Sequence, residues 1–204
     1  MPILRREARL ICQFTRQRGL LRISLGMNTT QLETTLLKVA GPLFAISIML
    51  FALRVRRRPA AEILGWRKPP VTATVLWLLF YAGFILGSNY FMNWRGPWDF
   101  TVWKHDPLLV DSLRVLAVVL LGPIAEELIF RGFLFTRISQ SKLGVAGAVV
   151  LTAVVWGAIH YNYTPAEIAL LCFAGVLLGL ARYQTRSVVT PILMHITWNL
   201  YAIW

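Results

Sequence analysis

Acidic side chains are scarce in this chain: nine Asp and Glu stand against 21 Lys and Arg in 204 residues, a net charge of +12. Charged residues of both signs make up only 15%, apolar ones 57%, and the mean hydropathy is +0.61, a balance outside that of ordinary soluble domains. Cysteine is limited to Cys12 and Cys172, which form no C-x-x-C. Disulfide frameworks, thiol redox centres and zinc-thiolate sites therefore lose support, and Cys172, inside an apolar run, reads as packing. No internal repeat or low-complexity tract occurs, and no loop is long enough to fold as a separate soluble domain.

What is present is apolar sequence. The uncharged runs 39–53, 69–94, 115–125, 143–159, 168–181 and 187–204 give six candidate spans, several of which need flanking residues to reach the ~20 residues of a bilayer crossing. The expected architecture is all-α: a multi-pass integral membrane protein with about six transmembrane helices around a buried polar site. The basic residues flank these runs instead of forming a continuous basic face, which makes the lipid bilayer the expected partner and excludes nucleic acid. By the positive-inside rule, Arg54, Arg56, Arg57, Arg58, Arg67 and Lys68 place 54–68 in the cytoplasm, with Arg137, Lys142, Arg182 and Arg186 on the same side. Residues 93–112 and 161–166 then face out, with Trp94, Trp98 and Trp103 expected in an aromatic belt.

Residues 1–35 depart from this pattern, because Arg5, Arg6, Arg9, Arg16, Arg18 and Arg22 would fall outside. An amphipathic cytoplasmic helix, a different number of spans, or translation from Met27 would each remove the conflict, and the Met27 start is our expectation. The basic residues interrupt any signal-peptide h-region. The expected organisation is a basic segment over 1–35, two transmembrane helices with a basic loop over 36–107, and a helical core over 108–204, which the resemblance given below makes the catalytic one.

Local signals place the polar motifs on helices. Asp106-Pro107 is expected to cap the third helix, and Thr164-Pro165-Ala166-Glu167 reads as a capping box opening the fifth, which makes Glu167 a cap. Gly83 with Gly87 and Gly175 with Gly179 are small-xxx-small pairs expected to bring helices close. In the third helix Glu126, Glu127 and Arg131 interrupt an apolar run. A carboxylate or guanidinium at mid-bilayer costs about 2.5–3.5 kcal/mol on insertion scales, so this triplet needs partners or a function. Pro123, just ahead of it, frees a backbone carbonyl one turn earlier and is expected to kink the helix beside a wet pocket.

Two more helices carry polar groups at comparable depth. Trp156 precedes His160 by one turn, and His195 and Asn199 share a helical face. At about 1.5 Å per residue, His195 lies roughly 10 Å from the basic end near Ser187 and Glu126 about 10–15 Å from the end near Arg137. His160 lies nearer the outer surface.

These elements resemble the CAAX protease and bacteriocin-processing family of intramembrane glutamic endopeptidases, which includes the Rce1-type prenyl-protein proteases and the Abi-type bacterial proteins. Its first motif, two glutamates, three residues and an arginine, corresponds to Glu126, Glu127 and Arg131. Its second, an aromatic (usually Phe) separated from a histidine by three residues, corresponds to Trp156 and His160, with Trp a departure that adds bulk and an indole N–H. Its third, His with Asn four residues on, corresponds to His195 and Asn199. The resemblance covers about 108–204 and implies a peptide hydrolase that activates water with carboxylate and imidazole and needs no cofactor or metal. Its substrates would be proteins or peptides, lipid-modified or membrane-anchored ones included. Glu126 and His160 are then placed on the attacking water, with either adjacent glutamate open as the base, and His195 and Asn199 on the oxyanion. Glu127 and Arg131 are expected to pair within their helix.

Two other readings compete, and a third is weaker. Two Glu and two His can ligate zinc, but H-E-x-x-H is absent and Arg131 would put positive charge beside the cation. A rhomboid-type serine protease is weaker, since Ser88 and Ser112 lie in no nucleophile motif. The second competitor is an inactive membrane scaffold or immunity protein of the same fold, binding a peptide without cutting it.

Overall fold

Six apolar runs require helices, because a bilayer leaves no water to satisfy exposed backbone groups. The computed structural model describes residues 29–55, 57, 59–94 and 107–203, and among them the chain is all helical. The helices are α1 (Thr29–Val55), a single turn α2 (Ala60–Ile63), α3 (Val71–Met92), the continuous α4 (Leu108–Ser139), α5 (Gly144–Ala158), α6 (Pro165–Thr185) and α7 (Val189–Ile203). Four of these, over Leu32–Val55, Val71–Met92, Leu108–Ser139 and Pro165–Thr185, are long and apolar enough to cross a membrane. The protein is a multi-pass integral membrane protein. The two remaining expected spans correspond to α5 and α7, each of 15 residues. The Met27 start, the basic residues of 1–28, Arg56, Arg58, Trp98, Trp103 and Asp106 lie outside the described residues.

α4 differs most from expectation. Its extent is close to the expected one, 32 residues, but in place of a simple kink it has two wide π turns, Leu116–Leu121 and Leu128–Leu134, on either side of Gly122–Glu127. Pro123 is the physical reason for the first: it has no N–H to give to the preceding turn, and the Gly122 N–H reaches back five residues to the Ala117 carbonyl. At the helix entrance Pro107 occupies the cap position, one residue later than expected, and its carbonyl accepts from the Val110 N–H at 2.8 Å.

α5 and α6 form the tightest seam. A Cβ at Gly175 would lie 2.9 Å from the Ala153 Cα and one at Gly179 3.3 Å from Val149, and Gly157 is in contact with the Cys172 sulfur. Gly83 and Gly87 do not act in the same way. Among the described residues nothing lies within 4 Å of where a Cβ would stand at either. The Thr164 box forms as expected: its backbone N–H and hydroxyl each donate to Glu167 Oε2 at 2.7 Å, and its hydroxyl accepts from the Glu167 N–H.

The basic ends meet at one end of the bundle. Val188 N–H donates to the Gly65 carbonyl at 2.9 Å and the Ser187 hydroxyl to the Arg67 carbonyl at 2.7 Å, while Leu64, 2% exposed, packs on Gly132. Gly65, at φ +65°, abuts the Arg182 guanidinium, where any side chain would clash. α3 is fastened to the core by Thr74 with Thr190 at 3.0 Å and by Trp77 Nε1 donating to Gln184 at 3.1 Å.

These contacts separate two glycines of the same helical type. Gly175→Val is expected to destabilise the protein by about 1–3 kcal/mol through overpacking against Ala153. Gly83→Ala should be neutral or stabilising by up to about 1 kcal/mol. Thermal denaturation in detergent reads both, and equal effects would contradict the seam.

Candidate active site

The two glutamates of α4 point into different surroundings, as neighbours on a helix must. Glu127 is wholly buried, and its Oε1 accepts from Arg131 Nη1 at 3.0 Å and pairs with His195 Nδ1 at 2.9 Å. Arg131, also wholly buried, gives Nη2 to the Gly175 carbonyl at 3.0 Å and lays its guanidinium 5.0 Å over the Trp156 ring. The close approach of Gly175 to α5 thus also makes room for the arginine, whose Nη2 lies 3.1 Å from where a Cβ would stand.

Glu126 is half-buried, and Trp156 Nε1 donates to its Oε2 at 2.6 Å. The tryptophan that departs from the family's phenylalanine is therefore bonded to the motif's first carboxylate. Its indole, 2% exposed, stands edge-on to both imidazoles, at 5.1 Å from His160 and 5.3 Å from His195. Glu126, Glu127, Arg131, Trp156, His160 and His195 are all assembled around this one ring or its partners.

The histidine tautomers follow from their acceptors. His160 Nδ1 lies 2.8 Å from the Trp156 carbonyl, which can only accept, so Nδ1 carries the proton and Nε2 is left open. His195 Nδ1 likewise donates to Glu127, leaving its own Nε2 open. As a neutral ring His195 offers a lone pair there, and as an imidazolium a donor.

Asn199 takes a different partner. Its Nδ2 donates to the Val118 carbonyl at 2.8 Å. In the wide π register that carbonyl would be served by residue 123, which is proline and has no N–H. Asn199 thereby satisfies the group Pro123 leaves free and retains one amide hydrogen. The second π turn follows the same logic. The Phe135 N–H goes to Gly132 and Phe130, and the bypassed Arg131 carbonyl accepts from Arg182 Nε at 2.9 Å.

Two residues escaped the sequence analysis. Tyr163 stacks on His160 at 5.8 Å and 21°, and burial, then Glu167 and Glu126, raise its phenol above the ordinary tyrosine value, so it remains a donor at neutral pH. Trp94, expected in the belt, packs inward on Tyr163 and Trp198 at 6.0 and 6.3 Å. Among the described residues no three His, Cys, Asp or Glu side chains are grouped to hold a metal ion.

The Asn199 contact generates a stability prediction. Asn199→Ala strands the Val118 carbonyl and is expected to cost about 1 kcal/mol, typical of interhelical hydrogen bonds in membranes. Asn199→Asp, which sets an acceptor against an acceptor, should cost more. Equal melting temperatures for Asn199→Asp and the parent would refute this bond.

Comparison with known proteins finds a likeness over the segment that carries these features. Residues 109–201 match the family model described as type II CAAX prenyl endopeptidase, Rce1-like. No curated protein and no solved structure matches the chain. The matched segment starts within the first turn of α4, ends within α7 and contains every side chain grouped around Trp156. Over residues 109–201, the chain is similar to the Rce1-like family of CAAX prenyl endopeptidases.

Proposed function

We propose that the protein is an intramembrane endopeptidase that hydrolyses a peptide bond with water activated by Glu126 and His160, and that 108–204 is its catalytic core. The observation that carries this reading is the gathering of Glu126, His160 and His195 around the Trp156 indole, each with a polar atom not consumed by its structural contact. Glu127 is a poorer candidate for the base, because it is wholly buried and its charge is held by Arg131 and His195 on Oε1. Glu126, half-buried and held through Oε2 by the indole, keeps Oε1 for water.

In the proposed reaction, Glu126 takes a proton from the water as its oxygen attacks the peptide carbonyl. His160 orients that water through Nε2. The oxyanion of the tetrahedral intermediate accepts from His195 Nε2–H in the imidazolium form, with the remaining Asn199 amide hydrogen as second donor. The proton held by Glu126 then passes to the leaving nitrogen, the C–N bond breaks, and a carboxylic acid and an amine result, the acid passing its remaining proton to the amine. Substrates are proteins or peptides, reached from the bilayer when lipid-modified or membrane-anchored.

A zinc-dependent reading finds less support from this arrangement, since Glu127 is committed to Arg131 and no three-ligand group occurs among the described residues. An inactive scaffold would keep the same cavity and bind without turnover.

The test compares the peptidome of cells carrying the parent with that of cells carrying Glu126→Gln or His160→Ala. Each substitution should reduce cleavage at least about 100-fold while the protein still inserts and purifies normally. Turnover by the purified parent in liposomes should survive a zinc chelator. Chelator-sensitive turnover, full activity in Glu126→Gln, or peptide binding by the parent without cleavage would each overturn the reading.

A further inference from the structure

α5 ends at Ala158, so His160 stands outside the regular helix, in a turn where Ile159, Tyr161 and Asn162 are exposed. The Trp156 carbonyl anchors its Nδ1 at 2.8 Å, and the Trp156 indole bounds it edge-on at 5.1 Å. A single hydrogen bond fixes one atom of a ring and leaves its plane free to swing. Tyr163 supplies a contact on the face. Its N–H donates to the His160 carbonyl at 3.1 Å, closing the turn, and its ring lies in an offset stack on the imidazole, with centroids 5.8 Å apart and planes at 21°. Trp94 in turn meets Tyr163 at 6.0 Å and 67° and Trp198 of α7 at 6.3 Å and 79°, which ties the stack to the buried core.

We infer that Tyr163 is a positioning residue: its ring, stacked on the imidazole and held by Trp94, keeps His160 in the plane where Nδ1–H meets the Trp156 carbonyl and Nε2 stays open. The flat face does this, not the hydroxyl. Without the stack, a half-buried histidine in a turn can rotate about its side-chain torsions, exchange the carbonyl for water and populate both neutral tautomers. Nε2 then carries the proton in part of the molecules and loses its lone pair there. Trp94 precedes the segment that matches the Rce1-like family, so the support for this histidine draws on the first part of the chain as well. Tyr163 acts through His160 and on no reacting atom. The kinetic consequence rests on the catalytic reading of the site, whereas the tautomer does not.

Two substitutions test this, since Tyr163→Leu keeps apolar bulk without a flat face and Tyr163→Phe removes only the hydroxyl. The activity-independent readout is nitrogen-15 NMR of the full-length protein with ring-labelled histidine in detergent, at mildly alkaline pH where imidazoles are neutral. The His160 signals are identified by their loss in His160→Ala. The parent and Tyr163→Phe should show the Nδ1–H tautomer alone at His160, and Tyr163→Leu a mixture. In liposomes, kcat of Tyr163→Leu is expected to fall about tenfold with KM unchanged, equivalent to about 1.4 kcal/mol and within the range of an aromatic pair, while Tyr163→Phe keeps the parental kcat. A ring that merely covers the core would move neither the tautomer nor kcat. A single Nδ1–H tautomer in Tyr163→Leu overturns the proposal whatever the kinetics, and a mixture in Tyr163→Phe assigns the effect to the hydroxyl and overturns the stack. Mixed tautomers in Tyr163→Leu with unchanged kcat overturn the positioning role. If the parent itself cleaves nothing, the catalytic reading fails, and the tautomers still decide whether Tyr163 holds the ring.

Discussion

A carboxylate and a guanidinium, both wholly shielded from solvent inside a membrane protein, are the constraint around which this molecule is organised. Neither Glu127 nor Arg131 is tolerable there alone, and breaking a buried pair by removing one partner costs about 3–5 kcal/mol. The pair is satisfied by reaching into every neighbouring helix of the core. Arg131 donates to a carbonyl of α6 and lies over the tryptophan of α5, while Glu127 holds the histidine of α7. The same contacts that make the charges bearable fix the relative placement of α4, α5, α6 and α7. Those helices carry Glu126, His160 and His195, so stability and site geometry are set by one interaction.

The backbone of α4 shows the same economy. Each of its two π turns has a carbonyl that accepts from a side chain of another helix, Val118 from Asn199 and Arg131 from Arg182. Irregular backbone at membrane depth survives where protein can satisfy it. Here these side chains also lock α6 and α7 against α4, and the regular α-helical segment between the two π turns carries both glutamates. Trp156 completes the arrangement as donor to Glu126, as ring beneath Arg131, and as edge-on neighbour to both histidines.

Much of this was legible in the sequence, for identifiable reasons. The spacing of Glu127 and Arg131 is that of one helical turn, so their pairing follows from local geometry, as do the Thr164 capping box and the shared face of His195 and Asn199. Tertiary choices were less accessible. Gly83 and Gly175 look alike in sequence, yet only Gly175 meets another helix, because a small-residue pattern does not say which face finds a partner. Pro123 announced a freed carbonyl, but whether water, a kink or Asn199 would answer it depends on a contact spanning 81 residues. Trp156 read as added bulk, since only its position opposite Glu126 gives its N–H a purpose. Tyr81 and Trp94 sat in runs that resembled lipid-facing helix and interfacial belt, and nothing local marks a ring that turns inward.

The central claim is that the Glu127–Arg131 pair both supports the fold and positions His195, and a double-mutant cycle tests it directly. Glu127→Gln, Arg131→Met and the combined variant would be compared for melting temperature in detergent and for peptide cleavage in liposomes. Each single variant leaves one buried charge uncompensated, whereas the double variant leaves none. The account predicts that the double variant regains most of the stability lost by either single one and still fails to cleave. Cleavage at the parental rate by the double variant, or a double variant no more stable than the singles, would contradict it.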